Sequence, residues 1–132
     1  MTQPKNGRRS DDVGISNTQR GSAAETLACQ FLEARGLTLV SRNYRCRLGE
    51  LDLIMRDAQQ LVFVEVRSRA SSRYGSAAET INHSKRQRLI RTATYFLQKN
   101  NYSLPCRFDV IAITQRGAAL DLEWIKDAFQ AD

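Results

Sequence analysis

Two segments of the sequence carry acidic residues at positions where their side chains could meet. GELDLIM (residues 49–55) and LVFVEVRSR (residues 61–69) each alternate apolar with polar residues, and a short polar spacer separates them. This alternation predicts two β-strands joined as an antiparallel hairpin. Symmetric closure about the spacer places Asp52 directly opposite Glu65.

Such a pair of acids has a chemical consequence. Two carboxylates directly opposite each other on neighbouring strands stand about 5 Å apart and repel, so the pair needs a cation. Mg²⁺ takes oxygen ligands and is commonly held by one or two carboxylates together with substrate phosphates. Glu50 lies two residues before Asp52, and Arg67 lies two residues after Glu65, so both share the same face of the hairpin. Two acids and a cation suit phosphodiester hydrolysis, in which a metal polarises the phosphoryl oxygen and a basic side chain stabilises the developing charge.

The alternation also assigns every residue of the hairpin to one of two faces. The predicted apolar face carries Leu51, Leu53, Met55, Val62, Val64 and Val66. The opposite face carries Glu50, Asp52, Ile54, Phe63, Glu65, Arg67 and Arg69, with Ile54 opposite Phe63 and Glu50 opposite Arg67. A second interpretation stays open, in which the polar face is an exposed surface crossed by salt bridges such as Glu50–Arg67.

The composition indicates one soluble intracellular domain. The chain has 132 residues, of which 42% are hydrophobic and 26% are charged, as in an ordinary globular domain. Residues 1–20 are polar and aperiodic and predict a disordered or weakly ordered arm, which leaves residues 21–132 as a single domain. We expect no membrane contact, because no segment is apolar enough to span a bilayer and the start lacks a signal peptide. Three cysteines without metal-ligand spacing indicate reduced thiols in the cytoplasm.

The remaining elements must hold the hairpin in place. Ser22 and Glu25 predict the capping box of a first helix, and Gly36 predicts its end. A second helix is predicted from Asn82 or Ser84 to about Lys99. A strand at residues 37–45 precedes the hairpin, while RFDVIAI (residues 107–113) and an alternating segment through Leu120, Leu122 and Trp124 predict the last two strands. The predicted order is α-β-β-β-α-β-β.

Positive charge is concentrated in the second half of the chain. The net charge is +6, and residues 67–107 contain nine basic residues and one acid. Cations are disfavoured near a helix N-terminus, and a bound phosphate would relieve that conflict at the start of the second helix. Because phosphates attract such clusters, the candidate nucleic-acid contacts are Arg69, Arg73, Lys85, Arg86 and Arg88. A solvated, salt-tolerant surface remains the alternative.

Taken together, GELDLI, VFVEVRSR, the INHSK that begins the second helix, and RFDVIAI resemble the YraN-like family of predicted endonucleases. That family is grouped with restriction-endonuclease-like proteins that carry the PD-(D/E)xK active site, a group that includes archaeal Holliday junction resolvases. The resemblance covers roughly residues 21–129. It implies an α/β fold with an αβββαβ core, a mixed central sheet flanked by helices, and here an extra C-terminal strand.

The resemblance also implies roles for individual residues. Asp52 becomes the central ligand of Mg²⁺ or Mn²⁺, Glu65 the second ligand, and the backbone carbonyl of Val66 the third. Glu25 matches an acid that related resolvases place on their first helix, and it joins Asp52, Glu65, Arg67 and Glu50 in the predicted catalytic set. Arg67 stands where the motif usually has lysine. Because arginine does not lose its proton, it would clamp phosphate or orient water without acting as a base.

Three functions follow from these observations. The first is a metal-dependent endonuclease acting on nucleic acid, with DNA favoured by the likeness to resolvases and a homodimer expected where both strands are cut. The second is a non-catalytic nucleic-acid-binding module that retains the fold, which the arginine at position 67 favours. The third is a protein-interaction adaptor that uses the acidic, apolar tail around Trp124 and Phe129.

Overall fold

The computed structural model describes residues 17–69 and 81–131, with side chains described from Gly21 onward, and contains two helices and a five-stranded sheet in that part of the chain. The elements are α1 (Asn17–Glu33), β1 (Thr38–Cys46), β2 (Gly49–Asp57), β3 (Gln60–Arg69), α2 (His83–Lys99), β4 (Cys106–Arg116) and β5 (Ala119–Phe129). The predicted αβββαβ order with an additional C-terminal strand is confirmed. No helix among these residues is both long and apolar enough to cross a membrane.

The sheet is mixed, as predicted. Its strands lie in the order β1-β2-β3-β4-β5. β3 and β4 run parallel, whereas the other neighbouring pairs run antiparallel. The chain between the parallel strands β3 and β4 contains α2, so α2 is the crossover helix of a βαβ unit.

The two helices cover opposite faces of the sheet. α1 packs on residues that alternate with those beneath α2, which is how a two-sided sheet sorts its side chains. The α1 face buries Leu53, Met55, Val62, Val64, Ile111 and Ile113. The α2 face buries Leu51, Ile54, Phe63, Phe108 and Val110. β4 is buried on both faces because it lies in the sheet interior beneath both helices.

α2 is fixed by its apolar stripe and by its cap. Its buried residues are Leu89, Thr92, Ala93 and Phe96, which recur at helical spacing. The side chain of Asn82 accepts a 2.8 Å hydrogen bond from the backbone N–H of Lys85, which confirms Asn82 as the N-cap. Phe96 packs edge to face on Tyr44, with ring centroids 5.0 Å apart, and so ties the helix to β1.

α1 begins earlier than the sequence predicts. The helix starts at Asn17, so Ser22 lies inside it, and the predicted capping box of Ser22 with Glu25 is wrong. The carbonyl of Ser22 accepts a 2.6 Å hydrogen bond from Arg42 on β1. Among the α1 residues from Gly21 onward, Ala24 is the first that lies in the buried core. The sequence before Ala24 is polar, so apolar periodicity does not indicate that the helix has already begun. Residues 1–16 of the predicted arm lie outside the described residues.

The predicted register of the β2–β3 hairpin is confirmed over most of its length. Ile54 pairs with Phe63, as predicted, and Leu53 pairs with Val64. Backbone pairing ends there, so the predicted pair of Glu50 with Arg67 does not form. The predicted placement of Leu51 on the same face as Leu53 is also wrong, because Leu51 packs in the cluster under α2.

β5 is anchored by a buried carboxylate on β4. The side chain of Asp109 is 0% exposed and accepts hydrogen bonds from Arg107, Trp124 and the backbone of Asp127. Phe129 is buried and stacks on Phe108, with ring centroids 4.9 Å apart. Of the two aromatic residues of the predicted adaptor surface, Phe129 is therefore buried and Trp124 is partly buried.

Candidate active site

The site begins where the regular ladder between β2 and β3 ends. Asp52 lies one residue before the last backbone pair, and its Oδ2 accepts a 2.9 Å hydrogen bond from the backbone N–H of Val66. On the other side of β2, the β1 residue Asn43 has a positive φ of 56°. The strict alternation of β2 breaks at this point, since Leu51 faces α2 and Leu53 faces α1.

Asp52 meets Glu65 through its side chain and not as a backbone partner. The two carboxyl groups share a hydrogen bond, which lowers the pKa of Asp52, although burial has the larger effect and leaves that pKa above its usual value. The Val66 N–H and nearby Lys85 also favour the ionised form of Asp52, while Glu50 disfavours it. The predicted convergence of the two acids is thus present in the structure.

Glu65 is the more perturbed member of the pair. Its side chain is 9% exposed. Burial, and then the neighbouring Asp52, raise its pKa to about 7, against the opposing effects of Lys85 and Arg67. The Nζ of Lys85 lies 3.3 Å from Glu65 Oε2, and the guanidinium of Arg67 lies 3.9 Å from the same oxygen. A carboxyl whose pKa is raised by burial and by a second acid is typical of functional sites.

The donor set fits a hard divalent cation. Two carboxylates on adjacent strands supply the oxygen ligands that Mg²⁺ and Mn²⁺ accept, with water and substrate completing the shell. Across residues 17–69 and 81–131, no group of three or more His, Cys, Asp or Glu side chains forms a metal cage. Asp52 and Glu65 would therefore hold a cation as a pair, with the predicted Val66 carbonyl as the third protein ligand.

Glu25 on α1 is a third acid close to Asp52. Its side chain is 12% exposed, and its Oε1 lies 3.7 Å from Arg42 Nε. Burial and then Asp52 raise the pKa of Glu25, while a hydrogen bond with Asn43 and the charge of Arg42 lower it. The structure thus brings this predicted residue within electrostatic reach of Asp52, and its catalytic role stays a prediction.

Glu50 lies at the rim of the site. Its side chain is 59% exposed and lies 3.4 Å from Arg45 on the neighbouring β1 strand. It raises the pKa values of both Asp52 and Glu25. Glu50 therefore adds negative charge near the carboxylate pair without joining the contact between them.

The predicted basic residues divide into two groups. Lys85 contacts Glu65, and Arg88 lies exposed one turn further along α2. Arg86 instead donates to the carbonyl of Ile81 at 2.9 Å and lies over the Phe129 ring. Arg69 is the last residue of β3, and Arg73 lies outside the described residues.

Sequence reasoning missed two residues that shape the site. Asn43 hydrogen-bonds Glu25, and Arg42 forms an ion pair with the same acid. A detectable signal existed for Asn43, because asparagine is among the few residues that adopt a positive φ readily. Arg42 gave no such signal, since its role depends on how α1 packs over β1.

Comparison with known proteins places the chain in a family. A family model described as "Uncharacterised protein family UPF0102" matches residues 24–113, which include Glu25, Asp52, Glu65 and Lys85. A UPF0102 protein of Nitrosococcus oceani is 47% identical over 119 residues, covering 89% of this chain and 96% of that protein. One from Methylobacillus flagellatus is 50% identical over 113 residues, covering 86% and 98%. The chain therefore belongs to the UPF0102 family, the YraN-like family that its motifs resemble.

Proposed function

We propose that this chain is a metal-dependent endonuclease that hydrolyses phosphodiester bonds of nucleic acid, with DNA as the favoured substrate. The single observation that supports this proposal most is the contact between the half-buried Asp52 and the buried Glu65 carboxyl groups on adjacent strands, flanked by Lys85. Two acids in contact destabilise the fold unless a proton or a cation neutralises them. In a metal-dependent nuclease, the bound metal ion neutralises such a pair.

In this proposal Asp52 and Glu65 hold Mg²⁺ or Mn²⁺, together with the carbonyl of Val66. The bound ion supplies Lewis acidity toward a phosphoryl oxygen and lowers the pKa of a bound water. The Val66 N–H fixes the direction of Asp52, which lets the carboxylate act from a set position. Glu65 must lose its proton for this role, so we expect metal affinity to rise with pH.

The cations around Glu65 then act on the substrate. Lys85 and Arg67 both reach the same Glu65 oxygen and would contact phosphate oxygens once a metal takes over that carboxylate. Arg67 stabilises negative charge on the phosphate and does not act as a base, because arginine stays protonated. Glu25, with its raised pKa beside Asp52, is the third acid that such a site would use.

The proposal is tested by nicking of supercoiled plasmid and of four-way junction DNA in the presence of Mg²⁺ or Mn²⁺. We expect wild-type protein to nick at least one of these substrates and Asp52→Asn to leave both intact. Asp121→Asn is the matched control, because Asp121 lies exposed on β5 and pairs with Arg116. Equal cleavage by wild type and Asp52→Asn would place the active site elsewhere.

A non-catalytic nucleic-acid-binding module is the second candidate, and one observation favours it. Glu65 already has two cations within 4 Å, Lys85 at 3.3 Å and Arg67 at 3.9 Å, so its charge can be balanced without a metal. Calorimetric titration with Mn²⁺ separates the two candidates. Metal binding that Asp52→Asn abolishes supports the nuclease, whereas DNA binding that is salt-dependent and unaffected by metal supports the module. Arg67→Lys, which restores the usual lysine, should then raise cleavage only if the site is catalytic.

Assembly and location follow as expectations from the same proposal. Cleavage of both strands of a duplex needs two sites, so we expect nicking by the monomer and double-strand breaks only from a homodimer. Light scattering after size-exclusion chromatography, run beside the cleavage assay, tests this link. We propose a cytoplasmic location because Cys29, Cys46 and Cys106 are all free thiols.

A further inference from the structure

A cleft adjoins the carboxylate pair on the α2 side. It has a volume of about 150 Å³ and lies between the start of β2 and the first half of α2. Among the residues that the structure describes, it is lined by Gly49, Glu50, Lys85, Arg88, Leu89 and Thr92. Lys85 belongs to both places, since its Nζ lies 3.3 Å from Glu65 while its side chain lines the cleft. Whatever occupies the cleft is therefore one side chain away from the candidate active site.

The wall of the cleft requires glycine at position 49. Gly49 has a φ of +154°, and a Cβ built there would stand 2.7 Å from the Thr92 hydroxyl oxygen. That hydroxyl donates a 2.7 Å hydrogen bond to the carbonyl of Arg88 one turn earlier in α2. The backbone of β2 thus approaches α2 more closely than any side chain would allow, and this contact fixes the position of one wall against the other.

The charges in the cleft favour an anion. Lys85 and Arg88 lie three residues apart on one face of α2. Lys85 pairs with Glu65, and Glu50 pairs with Arg45. Arg88 is exposed and forms no ion pair among the residues that the structure describes. The guanidinium of Arg88 is thus the uncompensated charge at the mouth of the cleft.

We propose that this cleft binds the backbone phosphate next to the one that lies at Asp52 and Glu65, with Arg88 as its main contact and Leu89 beneath the adjoining sugar. The inference rests on the proposed function, because it assumes a nucleic-acid strand crossing the carboxylate pair. A phosphate suits the site because a guanidinium binds it through two parallel hydrogen bonds. Lys85, placed between Glu65 and the cleft, contacts both phosphates and sets the strand in register.

The experiment compares Arg88→Gln with Arg91→Gln. Both remove one positive charge from an exposed side chain of α2, but Arg91 does not line the cleft. Binding of a short fluorescein-labelled DNA duplex is followed by fluorescence anisotropy at several salt concentrations, with EDTA present so that no cleavage occurs. We expect Arg88→Gln to weaken binding and to reduce the slope of log K against log salt by about one, as for one lost phosphate contact. Arg91→Gln should leave that slope at the wild-type value.

A local measurement complements the affinities. Titration of ¹⁵N-labelled wild-type protein with inorganic phosphate should shift the amide resonance of Gly49, on the wall opposite Arg88, and Arg88→Gln should abolish that shift. Equal losses for Arg88→Gln and Arg91→Gln, or a Gly49 resonance that does not move, would overturn the cleft proposal. An Arg88-specific loss in a protein that never cleaves DNA would support the phosphate site and reject the nuclease. Cleavage that depends on Asp52, together with equal effects of Arg88→Gln and Arg91→Gln on binding, would support the nuclease and reject the phosphate site.

Discussion

The backbone N–H of Val66 donates a 2.9 Å hydrogen bond to Oδ2 of Asp52. This bond joins β2 and β3 just beyond their last backbone pair, Leu53 with Val64. The Asp52 side chain therefore replaces a backbone hydrogen bond of the ladder. The same bond orients the Asp52 carboxyl toward Glu65. Asp52 is at once a link in the sheet and a candidate metal ligand, and substitutions can separate these two roles.

Asp52→Asn and Asp52→Ala should differ in stability. Asparagine keeps an oxygen that can accept from Val66 and removes the negative charge beside Glu65, so we expect it to be at least as stable as wild type in EDTA. Alanine leaves the Val66 N–H without its partner, and we expect its free energy of unfolding to be about 1–3 kcal/mol below that of Asp52→Asn. Urea denaturation of the three proteins measures this. Equal stabilities for the two variants would mean that the bond contributes nothing to the fold.

The raised pKa of Glu65 predicts a stability that depends on pH. The carboxyl titrates near 4.5 when unfolded and at about 7 when folded. Between these values the folded protein holds a proton that the unfolded chain has released, so the contribution of Glu65 is fully favourable below this window and is lost as pH rises through it. In EDTA, this contribution should fall by on the order of 3 kcal/mol across the window.

Glu65→Gln isolates that contribution, because glutamine cannot titrate. The free energy of unfolding, measured by urea denaturation at several pH values, should show the variant gaining on wild type as pH rises. Glu123→Gln on the exposed part of β5 is the control, and it should follow the wild-type curve. Parallel curves for wild type and Glu65→Gln would show that folding does not change the pKa of Glu65.

Much of the hairpin could be predicted because alternation assigns each residue to a face and symmetric closure about the short spacer sets which residues pair. Ile54 opposite Phe63 follows from that rule and is observed. The rule fails at Leu51, because it assumes an unbroken ladder. The alternation of β2 changes at Asp52, which lies opposite Asn43, a residue with positive φ. The pattern of apolar residues does not indicate this irregularity.

The candidate site was predictable in part for the same reason. The meeting of Asp52 and Glu65 follows from the register of two adjacent strands. The contact of Lys85 with Glu65 depends instead on where α2 crosses the sheet, which local periodicity does not determine. The prediction for Glu50 was wrong in a different way. Alternation and hairpin closure place Glu50 opposite Arg67, whereas its side chain is exposed next to Arg45.

The start of α1 gives a third prediction. Gly21 lies inside the helix, and a Cβ added there would meet nothing within 4 Å, so Gly21→Ala should stabilise the protein by about 0.5–1 kcal/mol. Ser22→Ala should cost little, because Ser22 is not the N-cap. Thermal denaturation followed by circular dichroism measures both variants. A loss of about 1 kcal/mol for Ser22→Ala, with no gain from Gly21→Ala, would restore Ser22 as the cap and move the helix start to the position that the sequence predicted.

The anchor of β5 gives the last prediction. Asp109 is fully buried and receives hydrogen bonds from Arg107 at 3.0 Å and from the Trp124 indole at 2.8 Å. Asp109→Ala leaves the largely buried Arg107 with less compensation, and we expect a loss of about 3–5 kcal/mol. Trp124→Phe removes one hydrogen bond and should cost about 1–3 kcal/mol, so it stays measurable where Asp109→Ala fails to fold. Urea denaturation followed by far-ultraviolet circular dichroism avoids dependence on the replaced tryptophan. A Trp124→Phe variant as stable as wild type would show that the indole contact does not hold β5 to the sheet.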